Sequence, residues 1–264
     1  MTAFDPGELQ QALSRSAATL IARETDDDLE SVLTRLCAAA VANVPGADHA
    51  GLTMTARDGT LSSHGVSNPV IAELDRLQAE LSEGPCVDTM RAGTSTTVLV
   101  DDFADEDQRW PKFTKAALES GVHGLLSFAM APVDASPGAL NLYSATPRAF
   151  GAGDQAVAGA FAMQAAVAYY GARKIEGLST AIATRDVIGQ AKGILMERFG
   201  LDAEAAFDLL VRSSQDTNLK LVDVAGWLTD EVASGRARAE PAPEAGPPRT
   251  GPRSARDRDR PTGR

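Results

Sequence analysis

The stretch RDVIGQAKGILMERF, residues 185–199, has the apolar spacing of a helix yet carries Gly189 and Gly193 in its interior. Each interior glycine costs about 1 kcal/mol relative to alanine. A helix holding two of them one turn apart points to a use for bare backbone. On a helical projection of about 100° per residue, Ile188, Ala191 and Leu195 cluster on one arc. Arg185, Gly189, Lys192 and Met196 follow an adjacent stripe, and Asp186, Gln190 and Glu197 lie beyond it. The cationic stripe therefore borders a core face and is kept apart from the carboxylates. A planar Arg, a flexible Lys and a glycine notch suit contact with phosphate or an exposed base. A close helix crossing through the glycines is the competing reading.

On the C-terminal side, Gly200-Leu201-Asp202 stops the helix and restarts another, with Asp202 as N-cap. AEAAFDLLVRSSQ follows, with Phe207, Leu210 and Val211 as its apolar face. Asn218 breaks it, and LVDVAGWLTDEVA presents Leu221, Val224, Leu228 and Val232. These three helices make a small bundle with Ile188, Leu195, Phe207, Leu210 and Val224 in its core. From Gly235 the chain turns to proline and arginine without apolar periodicity, and residues 235–264 read as a disordered basic tail. Such a tail serves as a solubilising segment or a binding arm.

On the N-terminal side, no strand signal separates residues 154–199, which read as one long helix with weak points at Gly171 and Gly177. Ala168, Gly171, Ile175, Leu178, Ile182, Arg185, Gly189, Lys192, Met196 and Phe199 recur at alternating spacings of three and four. That is a heptad-like seam. Its apolar middle, Ile175, Leu178 and Ile182, predicts a parallel dimer, and packing on the first domain of the same chain is the alternative. The Ala-rich run at 156–172 contains Gln164 and two glycines. It is shorter than the roughly 20 residues a membrane span needs, so it reads as a buried helix.

Earlier in the chain helices alternate with short strands. Residues 7–24 and 26–44 carry helical apolar spacing, and PVIAELDRLQAEL is a further helix with Val70, Ile71, Leu74, Leu77 and Leu81 inward. HAGLTMTA and TLSSHGVS flank a turn at Arg57-Asp58-Gly59-Thr60. STTVLVDD, HGLLSFAMAPV and GALNLYSAT are strands, the last two joined through Asp134–Gly138. Mostly hairpin-connected strands interleaved with helices predict an antiparallel sheet packed with helices, an α+β domain. The organisation expected is 1–173 for this domain, 174–234 for a helical linker and three-helix bundle, and 235–264 for the tail.

The chain has 264 residues and a net charge of −11. Gly235–Arg264 holds eight Arg against two Asp and two Glu, which leaves −15 on the remainder. So acidic a body argues against bulk attraction to nucleic acid, and any such contact rests on a local patch. Cys37 and Cys86 form neither a disulfide framework nor a CxxC pair, and the N-terminus lacks the basic-then-apolar order of a signal peptide. Both observations predict a cytoplasmic protein. Cys86, behind Gly84-Pro85, is a thiol-sensor or chromophore-attachment candidate or a small buried residue. DDFADED at 101–107 is a divalent-cation candidate or a solvated acidic loop. The three histidines show no ligand spacing. No GxSxG, Walker loop or HExxH is present, so neither an enzyme, a cofactor nor a metal site is expected.

The segment from Arg185 to Leu228 resembles an ANTAR domain, the three-helix RNA-binding module of transcription antiterminators. The resemblance rests on Arg185, Ile188, Ala191-Lys192-Gly193, Leu195-Met196, Ala206-Phe207, Leu210, Asn218, Leu221 and Val224-Ala225. The preceding 170 residues resemble a GAF domain through EGPC at 83–86, RWPKF at 109–113, GALNLYS at 138–144 and Ala149-Phe150. The resemblance implies a dimeric regulator whose paired ANTAR domains bind two adjacent stem-loops and prevent transcription termination. It implies Arg185, Gly189, Lys192, Gly193, Asn218 and Lys220 as RNA-facing residues. A small-molecule ligand for the GAF-like domain, signalling to a protein partner through the helical dimer, is the alternative function. No receiver pattern is present, so the GAF-like domain takes the sensor position.

Overall fold

The computed structural model describes residues 7, 14, 28–56, 58–93, 96–106, 108–130 and 136–235. Apart from Gly7 and Ser14, the helix expected over 7–24 lies outside them, as does the tail from 236 onward. The chain divides into two compact units between Leu178 and Ser179.

The first unit opens on α1 (Leu29–Asn43), whose N-terminus is capped by Asp28, the side chain accepting from the Ser31 N–H at 2.8 Å. Strands β1 (His49–Thr55), β2 (Leu61–His64), β3 (Thr97–Val100), β4 (Gly124–Ala129) and β5 (Gly138–Ser144) form one sheet in the order β2-β1-β5-β4-β3. Every neighbouring pair is antiparallel. Helices α2 (Pro69–Leu81), α3 (Pro85–Ala92) and α4 (Pro111–Glu119) fall between β2 and β4 in sequence, and α5 (Ala152–Phe199) follows β5.

Strand alternation assigns the two faces. Ala50, Leu52 and Met54 of β1, Leu126 of β4 and Leu140 and Leu142 of β5 join Leu33, Leu36 and Cys37 of α1 and Phe161, Ala162 and Ala165 of α5 in one core. The opposite face gives Leu125 and Tyr143 to a second core with Ile71 and Leu74 of α2 and Phe113 and Ala117 of α4. The inward face of α2 is Ile71, Leu74, Asp75 and Gln78. Val70, expected inward, is exposed, because it lies about 100° round the helix from Ile71, off the buried stripe of Ile71, Leu74, Asp75 and Gln78.

Two of the motifs meet in space. The Glu83 carboxylate accepts from the backbone N–H groups of Lys112 and Phe113 at 3.0 and 3.3 Å, so EGPC caps α4 from outside. In return Arg109 and the Trp110 indole N–H both donate to Asp88 of α3, at 3.1 and 3.2 Å. Gly84 sits at φ 119, and a Cβ there would stand 2.4 Å from Gln78 Oε1. Only glycine fits that turn.

In the second unit the end of α5 packs with α6 (Ala203–Thr217) and α7 (Leu221–Ala233). Ala191, Leu195, Ala206, Leu210 and Ala225 are buried, and Val187, Ile188, Leu209, Leu221, Val224 and Leu228 pack around them. Three alanines among five buried residues let the helix backbones approach closely. Phe207, expected in this core, and Val232, expected on the apolar face of the third helix, are instead exposed. The slim Ala206 takes the central place beside Phe207, and Val232 lies in the last turn of α7, past Leu228. Gly171 and Gly177 do not interrupt α5, which is continuous from Ala152 to Phe199. No helix among the described residues is long and apolar enough to cross a membrane.

Candidate nucleic-acid interface

Gly189 and Gly193 are exposed on α5, and a Cβ added at either would meet nothing within 4 Å. Among the described residues, neither glycine is required by a close helix crossing. Arg185 is exposed on the same helix. Lys192 is half-buried, with Nζ 5.8 Å from the ring centroid of Phe207 on α6. Gly193 looks to the other flank, where it lines a groove of about 540 Å³ with Gln190, Ile194 and Glu197 of α5 and Thr229, Val232 and Ala233 of α7. The structure thus joins Lys192 to α6 and Gly193 to α7.

Asn218 and Lys220 lie in the α6–α7 connection. Asn218 ends α6 in a left-handed conformation, φ 54, which asparagine tolerates better than other side-chain-bearing residues. Ser214 Oγ donates to the Leu219 carbonyl at 2.6 Å and secures the turn. Lys220 is the N-cap residue of α7 in extended backbone and makes no side-chain cap, so its ammonium is not engaged at the helix start. Ile175, Leu178 and Ile182 are 63%, 58% and 63% exposed on α5.

A second cluster lies inside the first unit. Thr53, Ser127 and Asn141 form a polar belt across β1, β4 and β5, all buried. Asn141 Nδ2 donates to Thr53 Oγ1 and to Asp75 Oδ1, both at 3.1 Å, and Ser127 Oγ donates to Asn141 Oδ1 at 2.7 Å. Tyr143 donates its hydroxyl hydrogen to Asp75, and Gln78 Nε2 donates to the Tyr143 oxygen at 3.4 Å. Gln78 Oε1 accepts the Cys86 N–H at 2.9 Å. Asp75 Oδ2 and Thr89 Oγ1, both buried, have no hydrogen-bond partner. Burial pushes the Asp75 carboxyl up to about 6, against the opposing pull of the Tyr143 and Asn141 hydrogen bonds. Burial and the neighbouring Asp75 also raise the Tyr143 hydroxyl well above its ordinary value.

A family model described as GAF domain matches residues 26–169, more than half of the chain, and one described as ANTAR domain matches residues 176–228. The chain belongs to the GAF family and carries an ANTAR domain behind it. Among solved structures, the GAF domain of a phosphoenolpyruvate-protein phosphotransferase from Coxiella burnetii is 17% identical with a TM-score of 0.45. That match covers 65% of this chain and 98% of the other. Free methionine-R-sulfoxide reductase from Neisseria meningitidis, in complex with its substrate, is 17% identical with a TM-score of 0.49, covering 66% of this chain and 97% of that one. No curated protein matches the chain. GAF domains are sensory and ANTAR domains are RNA-binding modules of antitermination regulators, so both parts are regulatory rather than catalytic types.

Within the GAF domain, the chemistry-bearing candidates resolve into structure. Cys86 is buried at the start of α3 against Met90 and Ala139, and Cys37 is buried in α1. Burial is the main cause that pushes both thiols up to about 12, so neither is a thiolate at neutral pH. In the acidic loop, Asp102 caps a short 3-10 turn (Phe103–Asp105) and Asp105 pairs with Arg148 at 3.2 Å. Among the described residues no group of His, Cys, Asp and Glu could hold a metal ion. His123 Nδ1 lies 3.3 Å from Asp102, and His64 Nδ1 lies 2.8 Å from Glu30.

The belt is absent from the sequence-derived sites. Its signal is present in GALNLYS, where Asn141 and Tyr143 alternate with leucines on a strand buried on both faces. In α2, Asp75 and Gln78 fall on the stripe of Ile71 and Leu74. In the ANTAR domain Phe207, assigned to the core with the apolar face of α6, is found at the surface under Lys192.

Proposed function

We propose that this GAF–ANTAR protein is a cytoplasmic regulator that binds paired stem-loops in nascent transcripts and so opposes termination. Residues 174–234 are its effector module, and the GAF domain controls it. The observation carrying this reading is the open space beside Gly189 and Gly193. Two destabilising residues that the packing of the described residues does not demand are accounted for by a visitor from outside, with Arg185 and Lys192 on the same helix. On the α6–α7 turn, Lys220 offers a further cation and Asn218 a neutral amide. Residues 185–234 hold five basic against nine acidic groups, so one module binds weakly and two are needed together. The exposure of Ile175, Leu178 and Ile182 supports a homodimer zipped through them.

The test is filter binding of full-length protein to an RNA of two adjacent short hairpins. The parent binds it in preference to a single hairpin, and Lys192→Ala weakens binding about tenfold, the loss of one charge-assisted contact. A parent that shows no preference for the paired RNA overturns the reading.

A second reading concerns the input. The unpartnered oxygen of Asp75, whose other oxygen is bonded to the belt through Asn141, favours a GAF domain that senses a small molecule and signals to a protein partner through the helical dimer. Thermal-shift screening with nucleotides tests it, since a ligand of the native state raises the melting temperature.

A further inference from the structure

We propose that the ring of Phe207 is a stacking platform on which an unpaired base of the bound RNA lies, with Lys192 holding the adjacent phosphate. The inference rests on the RNA-binding reading above. Phe207 follows Ala206, which is fully buried, and precedes Leu210, which takes the next core position of α6. Phe207 is left 39% exposed in a bundle whose core-stripe positions on α6 are covered. A cation stands over it, Lys192 Nζ at 5.8 Å from the ring centroid, within the range of cation–π attraction. The pair thus couples a partly exposed ring on α6 with a positive charge on α5.

Charge balance points to the same pair. With nine acidic groups against five basic between residues 185 and 234, contacts to phosphate cannot supply most of the affinity for a polyanion. Stacking of a base on an aromatic side chain is insensitive to that balance. Unpaired loop bases are the part of an RNA hairpin free to stack in this way. A protein docking on the same ring is the competing occupant, and the experiment separates the two.

Full-length protein is titrated with the paired-hairpin RNA over a series of salt concentrations, comparing the parent with Phe207→Leu, Phe207→Tyr and Lys192→Ala. Phe207→Leu is expected to bind about tenfold or more weakly with the parent's salt slope. Phe207→Tyr, which keeps the ring, stays close to the parent. Lys192→Ala flattens the slope of log K against log salt by about 0.7, the signature of one lost phosphate contact. In the parent, 5-iodouracil placed through the loops and irradiated cross-links to the peptide bearing Phe207. Phe207→Leu binding like the parent, equal losses in the Leu and Tyr variants, or a cross-link that maps elsewhere overturns the platform. If Lys192→Ala still weakens binding, the RNA-binding reading survives that result. A parent that binds no paired-hairpin RNA removes both.

Discussion

Asp75 shows how one residue can set a pH profile. Its carboxyl stands at about 6 in the fold against an ordinary 3.8. A raised folded value means that the native state holds the proton more tightly than the unfolded chain. The resulting stability is fully present below about pH 4 and is lost as pH rises through about 6. At pH 8 Asp75 is therefore a buried charge with one oxygen unpaired. Asp75→Asn keeps the acceptor for Tyr143 and Asn141 and removes the charge. It should stabilise the GAF domain at pH 8 by on the order of 2 kcal/mol, with the gain fading toward pH 4. Thermal melts across that range check it, and a lower melting temperature for the variant at pH 8 would refute the assignment. The two cysteines give a simpler test. Both thiols, held near 12, should be silent to a disulfide reagent at pH 8 in the native protein. Both should react once guanidinium unfolds it. One fast thiol in the native state would contradict the burial described.

At the scale of elements, glycines divide into two kinds. Gly84 is demanded by its turn, and Gly84→Ala, facing both φ 119 and the Gln78 amide, should cost roughly 2–4 kcal/mol. Gly189→Ala with Gly193→Ala should do the reverse. With open space at both positions, each substitution adds about 0.5–1 kcal/mol to the helix, so the ANTAR domain melts higher while RNA binding falls. A melting temperature that drops in the double variant would mean that the bundle itself needs the bare backbone. Elements of this kind were legible in the sequence. PVIAELDRLQAEL and LVDVAGWLTDEVA are helices over 69–81 and 221–233 in the fold, because caps, Pro and apolar spacing are local properties. The facing of single residues was less legible. Asp75 turns inward because Asn141 waits 66 positions away, a pairing no local pattern contains. Phe207 turns outward because Ala206 and Leu210 fill the space available, and periodicity alone ranks a phenylalanine above an alanine for the core. Gly189 and Lys192 were visible as an anomaly, yet only coordinates show that no described residue would meet a Cβ at either glycine.

For the whole molecule, association is the property to test. Ile175, Leu178 and Ile182 are exposed to a degree unusual for large aliphatic residues on one helix stripe. Ile175→Asp combined with Ile182→Asp should convert a dimer to a monomer in sedimentation at micromolar concentration. Side chains this exposed contribute little to either unit's own core, so both melting transitions should stay within a degree or two of the parent. A parent that sediments as a monomer at the same concentration would remove the dimer.

The helix α5 carries one more consequence. Its beginning is anchored by Phe161, Ala162 and Ala165 in the GAF core and its end by Ala191 and Leu195 in the ANTAR core. Residues 173–183 between them are exposed on every side. In a lone chain this stretch has helical hydrogen bonds and surface side-chain pairs such as Arg173–Glu176 but no core behind it, and such hydrogen bonds open far more often than those backed by a core. Its amide hydrogens should therefore exchange with solvent deuterium fast when the protein is dilute and slowly when it is concentrated, while the amides at both anchored ends keep one rate throughout. The middle of α5 would then report, peptide by peptide, whether two chains have met.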